Sequence, residues 1–187
     1  MHVMEGVMRI ETTLLTIFIL LVICSCAGTE KGRTRDIPLV PAVDLSRYAG
    51  RWYEIARFPH RFERDLVNVT ATYTIRADGR IDVLNQGYKL SPDGERSDAK
   101  AIAWVPDPAV SARLRVRFFW PFAADYRIIA LDQEGYQYAM VASSSWNFLW
   151  ILGRQPQMDD DTYARLMGMA QAWGFDVSRL YKVPQEW

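Results

Sequence analysis

Few side chains in this sequence have the types and spacing that catalysis or metal binding requires. Cys24 and Cys26 are the only cysteines, and His60 is the only histidine beyond the first two residues. The sequence contains no recognisable metal-ligand spacing, no glycine-rich phosphate loop and no Gly-x-Ser-x-Gly elbow. Glu54 and Asp125 do not form a pair that argues for acid–base chemistry. The sequence therefore predicts a protein that is not an enzyme and that holds no metal or cofactor.

Cys26 is the residue for which the sequence predicts a covalent modification. The apolar run at residues 14–23 is too short to span a bilayer but fits the core of a secretory signal, with Met8 as a second candidate start. The following Ile23-Cys24-Ser25-Cys26 resembles a bacterial lipobox, whose last cysteine carries acyl chains such as palmitate. Each chain would add about 0.8 kcal/mol of membrane affinity per buried CH₂. A plain cleaved signal with an incidental cysteine pair is the alternative.

The composition divides the chain into three parts. We predict a lipoprotein signal peptide at residues 1–25, a polar lipidated tether at 26–40 and a globular domain at 41–187. The globular part contains no cysteine, so its stability would rest on its core without a disulfide. The chain has 22 basic and 22 acidic side chains. This balance argues against a nucleic-acid partner.

Alternation of apolar and polar residues predicts an all-β domain. Residues 68–76 alternate most cleanly, with three threonines on one face. Turn residues separate eight such runs, at residues 51–58, 68–76, 81–88, 98–105, 112–120, 126–131, 136–142 and 148–152. Their short connections favour an eight-stranded antiparallel up-and-down β-barrel over a sandwich. The period becomes helical over 159–173, which predicts one C-terminal α-helix packed outside the barrel.

Three short motifs resemble the signature of the lipocalins. The first contains Gly50 and Trp52, the second Asp125 and Tyr126, and the third Arg154. The resemblance extends over residues 43–183 and is to the bacterial outer-membrane lipoprotein lipocalins, which are relatives of apolipoprotein D. It implies that Arg154 lies across the Trp52 ring and closes one end of the barrel. These residues would then mark the fold and would not be catalytic.

The alternation also predicts which side chains face the interior of the barrel. These side chains are mostly apolar, and several are small: Glu54, Ala56, Val69, Ala71, Tyr73, Val83, Asn85, Ala101, Ala103, Leu114, Val116, Phe118, Tyr126, Ile128, Ala139 and Val141. Such a lining favours an acyl chain held by burial of apolar area. A barrel filled by its own side chains is the alternative. A slip of one residue would exchange the two faces.

Basic residues cluster in or beside the first predicted loop. Arg57, His60, Arg61 and Arg64 occupy this stretch, which the resemblance places over the open mouth of the barrel. There they could meet a phosphate or carboxylate head group, although a solvated charge cluster is the alternative. His60 follows a proline and is expected to be exposed. An axial haem ligand inside the barrel is the alternative for this histidine.

Together these features predict a lipid-anchored lipocalin that binds, stores or transports a fatty acid or lysophospholipid. Residue 27, directly after the predicted lipidated cysteine, is an alanine. In the lipoprotein pattern that this sequence resembles, an aspartate at that position favours retention at the inner membrane, so Ala27 favours anchoring to the bacterial outer membrane. One alternative is an enzyme that modifies a lipid or an isoprenoid, although such lipocalins use a cysteine in the barrel. Another is a structural envelope lipoprotein with a plugged barrel. The resemblance is also compatible with a homodimer.

Overall fold

One antiparallel sheet forms the body of the domain. The computed structural model describes residues 37–187, so the predicted signal peptide, Cys26 and most of the predicted tether lie outside the described residues. The elements in chain order are α1 (Leu45–Tyr48), β1 (Gly50–Arg57), a 3₁₀ turn (Arg61–Glu63), β2 (Leu66–Ile75), β3 (Ile81–Lys89), β4 (Arg96–Trp104), β5 (Arg113–Phe119), β6 (Phe122–Leu131), β7 (Tyr138–Ala142), β8 (Leu149–Gly153), α2 (Asp160–Trp173), a second 3₁₀ turn (Val177–Arg179) and β9 (Tyr181–Lys182).

The sheet closes on itself to form a barrel. Its strands are hydrogen-bonded in the order β2-β3-β4-β5-β6-β7-β8-β1-β9, and β1 pairs with β2 as well. β1 to β8 follow the chain in simple order, which confirms the predicted eight-stranded up-and-down barrel. β6 begins at Phe122, earlier than the expected residue 126, so β5 and β6 form a tight hairpin. Closure leaves no long unpaired edge in the barrel.

α2 packs against the outside of the barrel, as the helical period predicts. Asp159 caps its first turn by accepting a 2.8 Å hydrogen bond from the Thr162 amide, and Gly174 ends it in the left-handed conformation at φ +100°. The buried side chains Leu166 and Ala170 contribute to an apolar cluster with the outer faces of β1, β6, β7 and β8. Among residues 37–187, no helix is long and apolar enough to cross a bilayer.

Trp52 and Arg154 close one end of the barrel. The Trp52 ring is fully buried, and the guanidinium carbon of Arg154 lies 3.8 Å from the centre of that ring. Gly50 has φ +93°, and a Cβ there would lie 3.4 Å from Arg154 Nη1. Arg154 donates hydrogen bonds to the carbonyl oxygens of Arg47, Tyr48, Ala49, Arg51 and Tyr136. Arg154 therefore ties the chain before β1 to the end of β8.

The packed domain begins earlier than the sequence predicts. Ile37 is buried in the outer cluster, and the Val40 amide donates a 3.0 Å hydrogen bond to Ile128 O. Leu39 and Val40 pack against the interior cluster of the barrel. Residues 37–40 thus belong to the domain rather than to the predicted tether. Their apolar side chains explain this difference, because they gain more by packing than by solvation.

Candidate ligand-binding site

The inner face of β4 is buried at one end and exposed at the other. Ala103 and Ala101 belong to the interior cluster and are buried, whereas Ala99 is exposed. Ala101 pairs directly with Val83, and Ala99 pairs with Asn85. Because directly paired residues share a face and side chains alternate along a strand, Ala99 also points inward. Its exposure shows that this part of the interior is accessible.

The same gradient appears on β5 and β6. Along β5 the relative exposure rises from 1% at Leu114 to 7% at Val116; beyond Val116 the pairing of β5 with β6 shifts register, and Phe118 near the mouth is 37% exposed. Along β6, Ile128 is buried, Tyr126 is partly exposed and Ala124 is exposed. All three strands become accessible toward the loops that join β1 to β2, β3 to β4, β5 to β6 and β7 to β8. We call this end the mouth, and the accessible inner part of the barrel the cup.

Most of the predicted lining residues lie on the inner face. The interior cluster or direct pairing with its members places the following side chains there: Glu54, Ala71, Tyr73, Val83, Asn85, Ala101, Ala103, Leu114, Val116, Tyr126, Ile128, Ala139 and Val141. Phe118 lies near the mouth at the end of β5. Val69 packs with Leu66 and Val183 in a separate small cluster. Contact of these residues with a ligand stays a prediction. The wall is mostly apolar and includes a row of alanines on β4.

The predicted inward position of Ala56 is wrong. β1 carries a bulge, since Glu54 pairs with Leu152 whereas Ala56 pairs with the next residue, Ile151. Ala56 and Ile151 belong to the outer cluster beneath α2. One extra residue in a strand reverses the alternation beyond it, so Ala56 faces outward.

The same bulge moves Arg57 from the expected rim of the mouth into the barrel. Arg57 pairs with Trp150 and is buried. Its Nη1 donates to Glu54 Oε1 at 2.6 Å, and its Nε lies 3.8 Å from Glu63 Oε2. Nη2 donates to the Glu63 carbonyl oxygen. The predicted place of Arg57 on the rim of the mouth is therefore wrong, and the acidic side chains of Glu54 and Glu63 both contact its guanidinium.

Burial controls the protonation of this cluster. Desolvation, reinforced by the nearby Glu63, raises the pKa of Glu54 from its ordinary value of 4.5 to about 8, although Arg57 opposes the shift. Burial also raises the pKa of Glu63. At neutral pH Glu54 thus mostly keeps its proton.

His60 is packed among aromatic rings, contrary to the expectation that it is exposed. Its ring stacks on Phe62 with 4.0 Å between centroids, and the rings of Phe148 and Trp150 lie 5.7 and 5.4 Å away. His60 Nε2 is 3.2 Å from Glu63 Oε2, but the ring is not oriented to form a hydrogen bond. Burial and the Arg57 charge lower the pKa of His60 to about 4, so the ring is neutral.

Exposed residues surround the mouth. Arg61 and Arg64 lie in the β1–β2 loop and are exposed, as their place in the sequence predicts. Several large apolar side chains are exposed at the same end, namely Phe62, Leu90, Phe119, Trp120 and Phe122. The sequence alone predicts no role for these apolar residues at the mouth. The signal that could have identified them is the run Phe119-Trp120-Pro121-Phe122, in which a proline ends a strand.

Three tyrosine hydroxyls meet inside the barrel at the lower boundary of the cup. The Tyr126 hydroxyl lies 2.6 Å from that of Tyr48 and 2.8 Å from that of Tyr73. Burial raises the pKa of all three phenols. Inward positions for Tyr73 and Tyr126 follow from the alternation, whereas Tyr48 comes from α1 and was not among the predicted lining residues. We call this group of three tyrosines the floor.

Asp125 lies on the outer face of the barrel. Its Oδ1 is 3.0 Å from Arg115 Nη1, and its Oδ2 is 3.2 Å from Arg113 Nη2 and 3.6 Å from Arg127 Nη2. These ion pairs give Asp125 a structural role in holding β5 and β6 together. Within residues 37–187, no group of three or more His, Cys, Asp and Glu side chains is placed to hold a metal ion.

Comparison with known proteins identifies relatives over nearly the whole domain. A family model described as a lipocalin-like domain matches residues 43–185. The chain is 44% identical over 169 residues to outer membrane lipoprotein Blc of Citrobacter freundii, with 89% of this chain and 90% of that protein covered. It is 34% identical over 163 residues to apolipoprotein D of Mus musculus, covering 82% of this chain and 83% of that protein.

A solved structure supports the fold independently. Insecticyanin of Manduca sexta matches with a TM-score of 0.64 at 19% identity, covering 81% of this chain and 86% of that one. At this identity the likeness concerns the fold alone. The sequence relatives include both groups to which the motifs pointed, so the predicted resemblance is confirmed. The chain belongs to the lipocalin family.

Proposed function

We propose that this lipocalin binds a fatty acid or a lysophospholipid in its cup, and stores or carries it at the bacterial outer membrane. The observation that carries the proposal is the exposure gradient along β4, β5 and β6, because it leaves an inner wall of small apolar side chains accessible from the mouth. An acyl chain gains about 0.8 kcal/mol for each CH₂ that it buries against such a wall. The gradient also counts against a barrel plugged by its own side chains.

The mouth supports a ligand with a polar head. Arg61 and Arg64 are exposed there, whereas Arg57 is buried inside the barrel in contact with Glu54 and Glu63. An anionic head group would therefore meet the exposed arginines, and the acyl chain would enter the cup first. The exposed aromatic residues at the mouth would contact the lipid surface from which the ligand comes, because aromatic rings with one wet edge suit a membrane interface.

We assign no catalytic step to this site. The two cysteines of the chain both precede residue 37, so the barrel offers no thiol nucleophile. The His60 ring is neutral, is packed among aromatic rings and makes no hydrogen bond through its nitrogens. The wall supplies apolar area and few polar groups, which is the chemistry of binding. Turnover of a lipid or isoprenoid by the purified protein would overturn this assignment.

A side chain that fills the cup should remove lipid binding. Ala99→Trp places an indole on the accessible inner face, and we expect the affinity for a fluorescent fatty acid to fall about tenfold or more, because losing contact with two CH₂ groups already costs about 1.6 kcal/mol. The matched control is Lys100→Trp, which puts the same side chain on the outer face of β4. Equal binding by both variants and the unmodified protein would show that the lipid does not occupy the cup.

Anchoring through Cys26 is part of the same proposal. The relatives named outer membrane lipoprotein support it, as does the lipobox-like sequence before Cys26. We expect Cys26→Ser to abolish incorporation of labelled palmitate and to release the protein from the membrane fraction, because the modified thiol is gone. Cys24→Ser should retain both properties. Undiminished palmitate labelling of Cys26→Ser would contradict the assignment.

A further inference from the structure

We propose that the floor of the cup donates one hydrogen bond, from the Tyr126 hydroxyl, to the buried end of the ligand. The cup would then favour apolar ligands whose leading end carries a neutral oxygen, either a hydroxyl or a carbonyl. This inference rests on the proposed function, and it adds a second point of recognition opposite the head group. It follows from the position of the tyrosines, from the number of their protons and from the way their burial disfavours charge.

Tyr126 lies where the inner face changes from packed to accessible. On β6, Ile128 below it is buried and Ala124 above it is exposed, while Tyr126 itself is partly exposed. On β2, Tyr73 is buried, and Ala71 above it is partly exposed. Tyr48 is buried. Of the three hydroxyl-bearing side chains, Tyr126 therefore presents the most surface to the cup.

The floor has more donors than internal acceptors use. Three hydroxyl groups carry three protons, but two hydrogen bonds connect them, Tyr48 to Tyr126 and Tyr73 to Tyr126. One proton is therefore left over in every arrangement. Tyr126 is central and its oxygen can accept two hydrogen bonds, so Tyr48 and Tyr73 can both donate to it. All three protons are then satisfied if Tyr126 donates its own proton to a group in the cup.

In the arrangement in which Tyr48 and Tyr73 both donate, the two accepted hydrogen bonds make Tyr126 a better donor. Hydrogen-bonded chains polarise one another in a medium of low dielectric constant, so a hydroxyl that accepts twice donates more strongly. An unpaired donor at this depth also carries a desolvation cost that a ligand acceptor would remove. A ligand that places a hydrogen-bond acceptor at the floor should therefore bind more tightly than a ligand that places a methyl group there.

The acceptor should be neutral. Burial raises the pKa of each of the three phenols, which shows that the floor disfavours a negative charge. The Arg57 guanidinium is already engaged by Glu54 and Glu63, and Arg154 is tied to backbone carbonyl oxygens, so neither is free to balance an anion. From Tyr126 to the rim at Phe122, the strand spans roughly 13 Å at about 3.3 Å per residue. A carboxylate head group would therefore stay at the mouth while a terminal hydroxyl or carbonyl reaches the floor.

The test compares a fatty acid with its terminally hydroxylated counterpart of the same length. Their affinities are measured by displacement of a fluorescent fatty acid from the unmodified protein, from Tyr126→Phe and from Tyr73→Phe. The readout is the change in the ratio of the two affinities from one protein to another, because the different solubilities of the ligands cancel in that comparison. We expect Tyr126→Phe to lower the preference for the hydroxylated ligand about tenfold, and Tyr73→Phe to retain most of it.

The outcomes separate this inference from the proposed function. If both ligands bind all three proteins with the same affinity ratio, the donor role of Tyr126 is wrong and lipid binding stands. If neither ligand binds the unmodified protein, both proposals fail.

A second measurement uses only the unmodified protein, so it tests the inference even if Tyr126→Phe does not fold. The carbonyl stretching band of a bound keto-terminated fatty acid should lie below its position in alkane, and an unshifted band would overturn the inference.

Discussion

Arg57→Met is expected to lower the free energy of unfolding by about 3–5 kcal/mol at neutral and alkaline pH, because it leaves two buried acidic side chains without the cation that both of them contact. Glu54 and Glu63 are both buried, and Arg57 lies between them. Methionine has a similar length and no charge, so the packing is largely kept. Urea denaturation followed by tryptophan fluorescence measures the change. A loss below about 1 kcal/mol, the typical value for an exposed pair, would show that the cluster is solvated.

Glu54→Gln tests the protonation of the same cluster, and its effect on the free energy of unfolding should depend on pH. The folded protein raises the pKa of Glu54 from 4.5 to about 8. Between these values the folded state binds more protons than the unfolded state, so this group lowers stability as the pH rises from about 5 to about 8. Glutamine does not titrate. The stability of Glu54→Gln relative to the unmodified protein should therefore increase across this window and then stay level. Parallel pH profiles for the two proteins would contradict the assigned protonation.

Trp52→Ala should cost about 3–5 kcal/mol of unfolding free energy, the range for removing a large buried aromatic side chain. The ring is fully buried, its Nε1 donates a 2.8 Å hydrogen bond to Tyr48 O, and Arg154 lies over its face. Trp120→Ala is the control, because Trp120 is exposed at the mouth and its loss should change stability by about 0.5 kcal/mol or less.

A double-mutant cycle would isolate the contact between Trp52 and Arg154. We expect a coupling energy of about 0.5–2 kcal/mol between Trp52→Ala and Arg154→Ala, since the guanidinium sits on the ring and both groups are partly or fully desolvated. Strictly additive losses would show that the two residues close the barrel independently of each other. Both effects are on stability, so lipid affinity measured under folded conditions should change little by comparison.

The strands, the helix and most of the inner face could be predicted because their signals are local. Alternation of period two places Tyr73 and Val83 inside without reference to any other strand. The caps of α2, Asp159 and Gly174, are likewise readable from residue type. Each of these features depends on a few neighbouring residues, and the structure keeps them.

The bulge in β1 could not be predicted, because it results from pairing between strands. β1 must pair with β2, β8 and β9, and no glycine marks the extra residue between Glu54 and Ala56. This one bulge accounts for both the outward position of Ala56 and the buried position of Arg57. The packing of His60 was missed for a related reason, because Phe148 and Trp150 reach it from near and within β8. The floor likewise needs Tyr48 of α1 beside two strands far along the chain.

Native mass spectrometry of the full chain, extracted gently from membranes, tests most directly whether the cup holds a lipid. We predict a bound mass corresponding to a fatty acid or a lysophospholipid in the unmodified protein and in Lys100→Trp, and its loss in Ala99→Trp. Tandem dissociation would separate this ligand from acyl chains covalently attached at Cys26. An unmodified protein that carries no lipid, and that takes up none when fatty acid is added, would contradict the account.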